Sequence, residues 1–178
     1  MAVSPNCPGT AEKIQVRMNE DIQVDVERIA AKAKRANLTL ATVESCTAGA
    51  LACALAEPAG AGETFQGGLV VYTKESKSVA AGVPADLIVQ HTAVSAPVAR
   101  AMAEGGLERM PADIAIAITG VAGPEPDEDG NPVGLVYIAA ARRNRQVLAE
   151  ELWLEGSKQE ICAQAMSAAL RLAERLTD

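Results

Sequence analysis

Residues 114–118 near the middle of the chain, Ile-Ala-Ile-Ala-Ile, form a continuous apolar run. Such a run is typical of a β-strand covered on both faces, as in the parallel sheets of α/β proteins. A sheet that contains this strand requires helices on both of its sides. Four further short apolar segments predict strands at 40–43, 69–72, 133–141 and 147–154.

Helical patterns separate most of these strands. Apolar residues at i, i+4, i+7, i+8 and i+11 from Ile22 predict the first helix. Capping residues predict four more helices, which start at Thr47 (to about 56), Thr73 (to about 79), Ser95 (to about 109) and the capping box 157–160. Helices alternate with strands early and two strands follow in succession late. This order predicts a three-layer α/β/α sandwich with a mixed, mostly parallel sheet of about five strands, one of them antiparallel. We expect residues 1–20 to be a flexible N-terminal extension and residues 21–178 to form one domain.

The composition excludes several kinds of site. Among 178 residues there are 23 acidic and 16 basic side chains, a formal charge of −7, and only four aromatic residues, which argues against nucleic-acid binding. A single histidine, His91, excludes a zinc site built on several histidines, and we interpret it as a surface or capping residue. The acidic loop at 120–132 is interpreted as solvated rather than metal-binding. We predict neither a metal nor a cofactor.

The cysteines and the apolar segments indicate the compartment. Cys7, Cys46, Cys53 and Cys162 contain no CxxC pair, as expected of free thiols in a reducing cytosol. Residues 1–20 lack the pattern of a signal peptide, and no apolar stretch is long enough to span a bilayer. We therefore expect a cytoplasmic protein without membrane contact. Its alanine-rich helices are compatible with a homo-oligomer.

Polar residues or glycines follow three of the apolar runs directly, at 44–49, 72–77 and 119–124. In open α/β sheets, ligands bind beyond the carboxyl ends of the strands. If these strands are parallel neighbours, the three segments meet in one crevice. This edge of the sheet is therefore the predicted site.

The first segment offers two nucleophiles, Ser45 and Cys46. Ser45 lies in the turn between strand and helix, where it is either a nucleophile or only a helix cap. Cys46 is either a second candidate nucleophile or only a small, buried apolar residue. Ala48 and Gly49 leave backbone amides exposed at the start of the helix, which suits an oxyanion or a phosphate.

A serine nucleophile needs a base, and Lys77 in the second segment is the best placed candidate. Its pKa must fall by ~3 units from the ordinary lysine value of about 10.4 before the amine is neutral near pH 7. Burial and a neighbouring cation, Lys74 or Lys158, would lower it. The alternative is that Lys74 and Lys77 decorate a solvated helix face.

Two hydroxyls complete the predicted crevice. Tyr72 would hold the lysine or a hydroxyl in place, or else pack at the sheet edge. Thr119 would donate to the crevice, with Gly120 allowing close backbone approach. The glycine loop matches none of the dinucleotide, P-loop or hydrolase-elbow motifs.

Together these segments resemble the CinA C-terminal domain family, the nicotinamide-nucleotide amidohydrolases, from about residue 21 to 176. The resemblance rests on the number, order and spacing of seven segments: 44–49, 65–68, 72–77, 93–95, 102–105, 119–124 and 132–134.

The resemblance implies that the chain hydrolyses the carboxamide of nicotinamide mononucleotide to nicotinic acid mononucleotide and ammonia through an acyl-enzyme. Carried over by position, Ser45 is the nucleophile, Lys77 its base, and Tyr72 and Thr119 support them. The substrate-binding residues implied are Thr47, Ala48, Gly49, Gly68, Gly120 and Lys158.

Three residues depart from the family pattern. Ala48 replaces a glycine, Lys74 an asparagine and Lys158 an arginine. These departures motivate a second hypothesis, a non-catalytic module that binds a nucleotide or a protein. A third hypothesis is a thiol enzyme that uses Cys46. Because the chain is acidic, binding of an anionic mononucleotide requires a local cationic pocket, for which Lys74, Lys77 and Lys158 are the candidates.

Overall fold

The computed structural model describes residues 20–178, so the predicted N-terminal extension lies outside the described residues except for its last residue. Six helices are found: α1 (Glu20–Ala36), α2 (Ala50–Ala56), α3 (Lys74–Ala81), α4 (Ala85–His91), α5 (Ala96–Arg109) and α6 (Lys158–Glu174). Five strands are found: β1 (Leu40–Glu44), β2 (Phe65–Val70), β3 (Ile114–Gly120), β4 (Leu135–Arg142) and β5 (Leu148–Trp153).

The strands form one sheet in the order β2-β1-β3-β4-β5. Strands β2 and β3 both pair with β1 in parallel, whereas β4 is antiparallel to both β3 and β5. β4 is therefore the one antiparallel member, and the predicted mixed, mostly parallel sheet of five strands is confirmed.

Each face of the sheet carries its own layer of helices. On one side, Ile114, Ile116 and Ile118 of β3 pack with apolar residues of α1, α2 and α6. On the other side, Ala115 and Ala117 pack with α3, α4 and α5. The predicted three-layer α/β/α sandwich is therefore confirmed.

A glycine allows α5 to lie close to the sheet. A Cβ atom on Gly106 would come within 2.7 Å of Val43 Cγ2 and 3.0 Å of the Ala115 Cβ. The small side chains of β3 on this face and Gly106 on the helix together permit the close approach.

The second strand was predicted in the wrong place. It runs from Phe65 to Val70 rather than from 69 to 72. It is an edge strand whose residues alternate between half-buried and exposed, so it lacks a continuous apolar run. Gly68 is needed there because a Cβ would lie 2.1 Å from Thr42 Oγ1 on β1.

Several boundaries also differ from the predictions. Helix α2 starts at Ala50, not Ala48, because Ala48 and Gly49 have positive φ angles of 51° and 95° and cannot belong to a right-handed helix. Helix α4 was not predicted, and the exposed His91 is its last residue. The predicted cap at Thr73 and the predicted capping box at Ser157 are confirmed. Ser95 occupies the N-cap position of α5, but its hydroxyl donates to the carbonyl oxygen of Thr92 and accepts no hydrogen bond from the helix.

Candidate active site

The three polar segments surround one pocket of about 460 Å³. The turn after β1 contributes Ser45, the start of α3 contributes Lys77, and the end of β3 contributes Gly120. The segments meet because β1, β2 and β3 are parallel neighbours that end at the same edge of the sheet.

Ser45 and Lys77 are in direct contact. Lys77 Nζ lies 2.8 Å from Ser45 Oγ and 3.0 Å from the carbonyl oxygen of Val71. Lys77 is only 2% exposed and Ser45 only 6%. The 2.8 Å contact allows a proton to move between oxygen and nitrogen.

Local structure explains how the lysine reaches the serine. The Thr73 capping box starts α3 just beyond the strand, and Lys77 lies one turn into that helix. Val71 N donates to the carbonyl oxygen of Glu44 at 2.7 Å, which holds the segment after β2 against the end of β1.

Burial lowers the pKa of Lys77 to about 8, against a weaker opposing effect of Cys46. The predicted help from a neighbouring cation is absent, since neither Lys74 nor Lys158 contributes among the described residues. Burial acts here because it disfavours the charged ammonium. The residue is therefore partly neutral at physiological pH.

Lys74 does not supply a free positive charge. Its Nζ lies 2.9 Å from Glu128 Oε1 and 2.7 Å from Asp129 Oδ1, and hydrogen bonds to these carboxylates raise its pKa. The predicted cationic pocket is therefore wrong for Lys74. Lys158 also lines the pocket.

The acidic loop forms one wall of the pocket. Glu125, Asp127, Glu128 and Asp129 all line it. Asp127 also orders the loop, because its carboxylate accepts bonds from the amide of Asp129 and from the backbone and side chain of Asn131.

Glu44 is the site residue that sequence reasoning missed. It was quoted within the motif, but no role was assigned to it. Its carboxylate is fully buried directly before Ser45 and bonds to Gly49 N, Leu51 N and Ala52 N. A signal was available, because an acidic residue inside an otherwise apolar strand needs a buried partner.

The helix start therefore does not offer the anion site that was predicted. Glu44 already accepts from Thr47 Oγ1 at 2.7 Å and from the Gly49 amide at 3.1 Å. The Ala48 amide donates to the Ser45 carbonyl. Neither Thr47, Ala48 nor Gly49 lines the pocket.

The two supporting hydroxyls are placed differently from the expectation. Tyr72 lines the pocket mouth but is 63% exposed, and no residue within 20–178 hydrogen-bonds its hydroxyl. Thr119 is fully buried, and its hydroxyl donates to the carbonyl oxygen of Ala93 at 2.8 Å. Thr119 thus fixes the loop before α5 against β3.

The predicted glycines separate into two groups. Gly120 lines the pocket, and a Cβ there would lie 2.7 Å from Val136 Cγ2 on β4. Gly68 does not line it and instead allows β2 to approach Thr42.

Cys46 lines the pocket beside Ser45, but its thiol is poorly suited to attack. Burial raises the pKa of Cys46 to about 12, with a further contribution from Cys162. The nucleophile of thiol chemistry is the thiolate. At neutral pH the Cys46 sulfur is therefore almost entirely protonated.

Neither a metal cluster nor a membrane span is found in the part of the chain that the structure describes. No three His, Cys, Asp or Glu side chains within 20–178 are grouped so as to hold a metal ion. No helix in that range is both long and apolar enough to cross a membrane.

The protein is thus a three-layer α/β protein, and a buried serine–lysine pair lies at the carboxyl ends of its parallel strands. The CinA C-terminal domain family matches residues 23–177. The chain belongs to this family.

Relatives and solved structures agree with that assignment. A CinA-like protein of Gemmatimonas aurantiaca is 45% identical over 134 residues, which are 75% of this chain and 31% of that protein. A CinA-like protein of Mycobacterium sp. (strain JLS) is 42% identical over 137 residues, 77% of this chain and 32% of the relative. The chain thus spans about a third of the length of these curated relatives.

The fold is also that of solved proteins. The competence/damage inducible protein CihA from Agrobacterium tumefaciens superposes with a TM-score of 0.86 at 35% identity, over 90% of this chain and 98% of that chain. The competence damage-inducible protein A (ComA) from Klebsiella pneumoniae superposes with a TM-score of 0.83 at 33% identity, over 86% of this chain and 95% of that chain.

Proposed function

We propose that this protein is a serine–lysine amidohydrolase that converts nicotinamide mononucleotide to nicotinic acid mononucleotide and ammonia. The observation that carries the proposal is the 2.8 Å contact between Ser45 Oγ and a buried lysine whose pKa is lowered to about 8. A general base works best when its pKa is near the operating pH.

The mechanism starts from neutral Lys77. One of its N–H groups donates to the Val71 carbonyl, which leaves the nitrogen lone pair free to accept the Ser45 hydroxyl proton. Ser45 Oγ then attacks the carboxamide carbon. The resulting lysine ammonium returns the proton to the amide nitrogen, and ammonia leaves as the acyl-enzyme ester forms. Water, deprotonated by the same lysine, hydrolyses the ester and regenerates Ser45.

One backbone amide beside the nucleophile, that of Cys46, suits the oxyanion, because Cys46 lines the pocket. The turn uses Ser45 N, Ala48 N and Ala50 N for internal hydrogen bonds. None of the backbone hydrogen bonds described for residues 20–178 uses the Cys46 amide. An amide next to the attacking atom that has no backbone acceptor is a suitable donor for an oxyanion.

The pocket supports a substrate of mononucleotide size. Its volume of about 460 Å³ lies within the usual range for small-molecule sites. Lys158 at the start of α6 lines it, and no ion pair of Lys158 is found among the described residues. It is the candidate for the substrate phosphate, as the family resemblance implies.

The test is ammonia release from nicotinamide mononucleotide. Ser45→Ala and Lys77→Met are expected to lower kcat by about a thousandfold or more, as loss of a nucleophile or its base does. Ser78→Ala on the same helix does not line the pocket and is expected to keep wild-type kcat. Full activity of Ser45→Ala would refute the mechanism.

Two other outcomes would support the alternatives. Thermal stabilisation by the mononucleotide without any ammonia would support the non-catalytic binding module. Loss of turnover on treatment with a thiol alkylator, in a protein whose Ser45→Ala variant stays active, would support the Cys46 enzyme.

A further inference from the structure

Glu44 carries a buried carboxylate that the proposed mechanism does not use. Its side chain is fully buried, and among residues 20–178 no Lys or Arg forms an ion pair with it. Such a carboxylate is costly unless donors surround it. Five donors do so: Thr42 Oγ1 (3.1 Å) and Ala52 N (2.8 Å) on Oε1, and Thr47 Oγ1 (2.7 Å), Gly49 N (3.1 Å) and Leu51 N (3.0 Å) on Oε2.

These bonds join the end of β1 to the start of α2 across the turn 45–49. Helix α2 has no side-chain cap from its own N-cap residue, Gly49. Glu44, at the end of β1, caps the helix instead. Its two carboxylate oxygens accept hydrogen bonds from backbone amides of the N-cap residue and of the first helical turn. The turn that carries Ser45 is therefore held at both ends by one side chain.

We propose that Glu44 is the positioning residue of this site, and this inference rests on the proposed function. Its carboxylate is an internal anion that sets the conformation of turn 45–49. That conformation directs Ser45 Oγ at Lys77 Nζ and leaves the Cys46 amide without a backbone acceptor beside the pocket. Glu44 does not touch the substrate, since it does not line the pocket.

Replacement of Glu44 by glutamine tests the positioning role. It keeps the shape of the side chain but replaces one hydrogen-bond acceptor oxygen with an NH₂ donor. Both carboxylate oxygens accept backbone amides, Ala52 N on Oε1 and Gly49 N with Leu51 N on Oε2. In either orientation the glutamine NH₂ group faces a backbone N–H, so rotating the side chain cannot relieve the conflict. The turn must shift to separate the two donors.

For Glu44→Gln we expect kcat for the mononucleotide to fall about ten- to a hundredfold, as for a misplaced reacting group, with KM within about threefold of wild type. Ile116→Val is the matched control for lost stability, because it removes one buried carbon from a core residue that does not line the pocket. It should keep wild-type kcat. All variants are assayed well below their melting temperatures.

A second variant and a second readout keep the inference testable if Glu44→Gln fails to fold. Glu44→Asp keeps the carboxylate but shortens the side chain by one carbon, which moves the carboxylate away from the helix amides. We expect it to slow labelling of Ser45 by a fluorophosphonate about tenfold relative to Ile116→Val.

The two proposals fail in different ways. A wild-type protein that releases no ammonia from the mononucleotide defeats the proposed function. An active wild type whose folded Glu44→Gln or Glu44→Asp variant keeps kcat and Ser45 labelling within twofold overturns the positioning role alone. A rise in KM with unchanged kcat would also overturn it, because it would indicate a contact with substrate.

Discussion

Lys77 is the residue on which the proposed chemistry depends, and its environment decides its charge. An exposed lysine stays protonated at neutral pH, whereas burial lowers the pKa of this one to about 8. Its two hydrogen-bond partners, Ser45 Oγ and the Val71 carbonyl, fix where the amine points. Burial thus sets the pKa of the proposed base, and the hydrogen bonds fix the orientation of its amine.

Activity should therefore depend on pH in a specific direction. Below the lowered pKa, Lys77 is an ammonium and cannot accept the Ser45 proton. We expect kcat/KM for the mononucleotide to rise about tenfold per pH unit below pH 7 and to level off above about pH 8. The pH profile of ammonia release measures this. A profile that is flat from pH 6 to 9 would contradict the assignment of Lys77 as base.

Ala48 stores backbone strain beside the site. Its φ of 51° lies in the left-handed region, which costs about 1 kcal/mol for a residue with a Cβ. We expect Ala48→Gly to raise the free energy of unfolding by about 0.5–1 kcal/mol, measured by urea denaturation. Ala30→Gly inside α1 is the contrasting control and should lower it by about 1 kcal/mol. Equal destabilisation by both would refute the strain argument.

At the scale of elements, α1 and α6 are tied together by a buried carboxylate. Asp25 on α1 is 2% exposed and bonds to Ser167 and Arg171 of α6, as well as to Arg28. Burial alone would raise the pKa of Asp25, but the bonds from Ser167 and Arg171 outweigh it and lower the pKa. The ionised form is therefore the one that joins the helices.

Removing this charge should loosen the helix pair. We expect Asp25→Asn to lower the free energy of unfolding by about 1–3 kcal/mol at pH 7, because amide hydrogens then face guanidinium groups. Since the folded pKa is lowered, the wild-type advantage is present above the ordinary carboxyl pKa of about 4 and shrinks as the pH falls further. Urea denaturation at pH 7 and pH 3 measures it. Glu27→Gln, an exposed change on the same helix, should have little effect at either pH.

The acidic loop and the start of α3 are a second pair of elements joined by charged side chains. Lys74 bridges Glu128 and Asp129, which lie more than fifty residues later in the chain. Without Lys74, the carboxylates of the pocket wall lose their counter-charge and repel a phosphate.

Lys74→Met is therefore expected to raise KM for the mononucleotide roughly two- to fivefold, with kcat unchanged. KM for the corresponding nucleoside, which lacks the phosphate, should not rise. The effect should fade in 0.5 M salt, because exposed charges are screened there. Lys34→Met, which breaks an exposed ion pair with Glu63 outside the pocket, is the control. An equal rise of KM for both substrates would contradict the electrostatic explanation.

At the scale of the whole molecule, the buried lysine of the Ser45–Lys77 pair influences global stability. The folded state binds the Lys77 proton less tightly than the unfolded chain does, because its pKa is lowered from about 10.5 to about 8. Between these two values the unfolded state carries more protons, so stability rises with pH over that interval.

We expect the wild type to gain stability relative to Lys77→Met as the pH increases from 8 to 10, by up to about 3 kcal/mol. Urea denaturation of both proteins at several pH values measures the difference. A difference that stays constant with pH would mean that Lys77 has an ordinary pKa in the folded protein.

Much of the fold followed from local patterns. The continuous apolar run at 114–118, the cap at 73, the capping box at 157 and the order of elements led to a mixed five-stranded sheet, because periodicity and capping are properties of neighbouring residues. Strand β2 was misplaced because an edge strand with two glycines has neither an apolar run nor high strand propensity.

The sequence by itself determined the layered α/β architecture, the edge where polar segments gather and, by resemblance, the Ser45–Lys77 pair. Only the tertiary structure decided that Lys77 is buried against Ser45 and that the Glu44 carboxylate caps the start of α2. It also decided that Lys74 forms ion pairs with a loop that is distant in the sequence. The reason is physical: burial, charge pairing and hydrogen-bond donors come from residues far apart in the chain. Their effects therefore exist only after the sheet has brought β1, α3 and the acidic loop together.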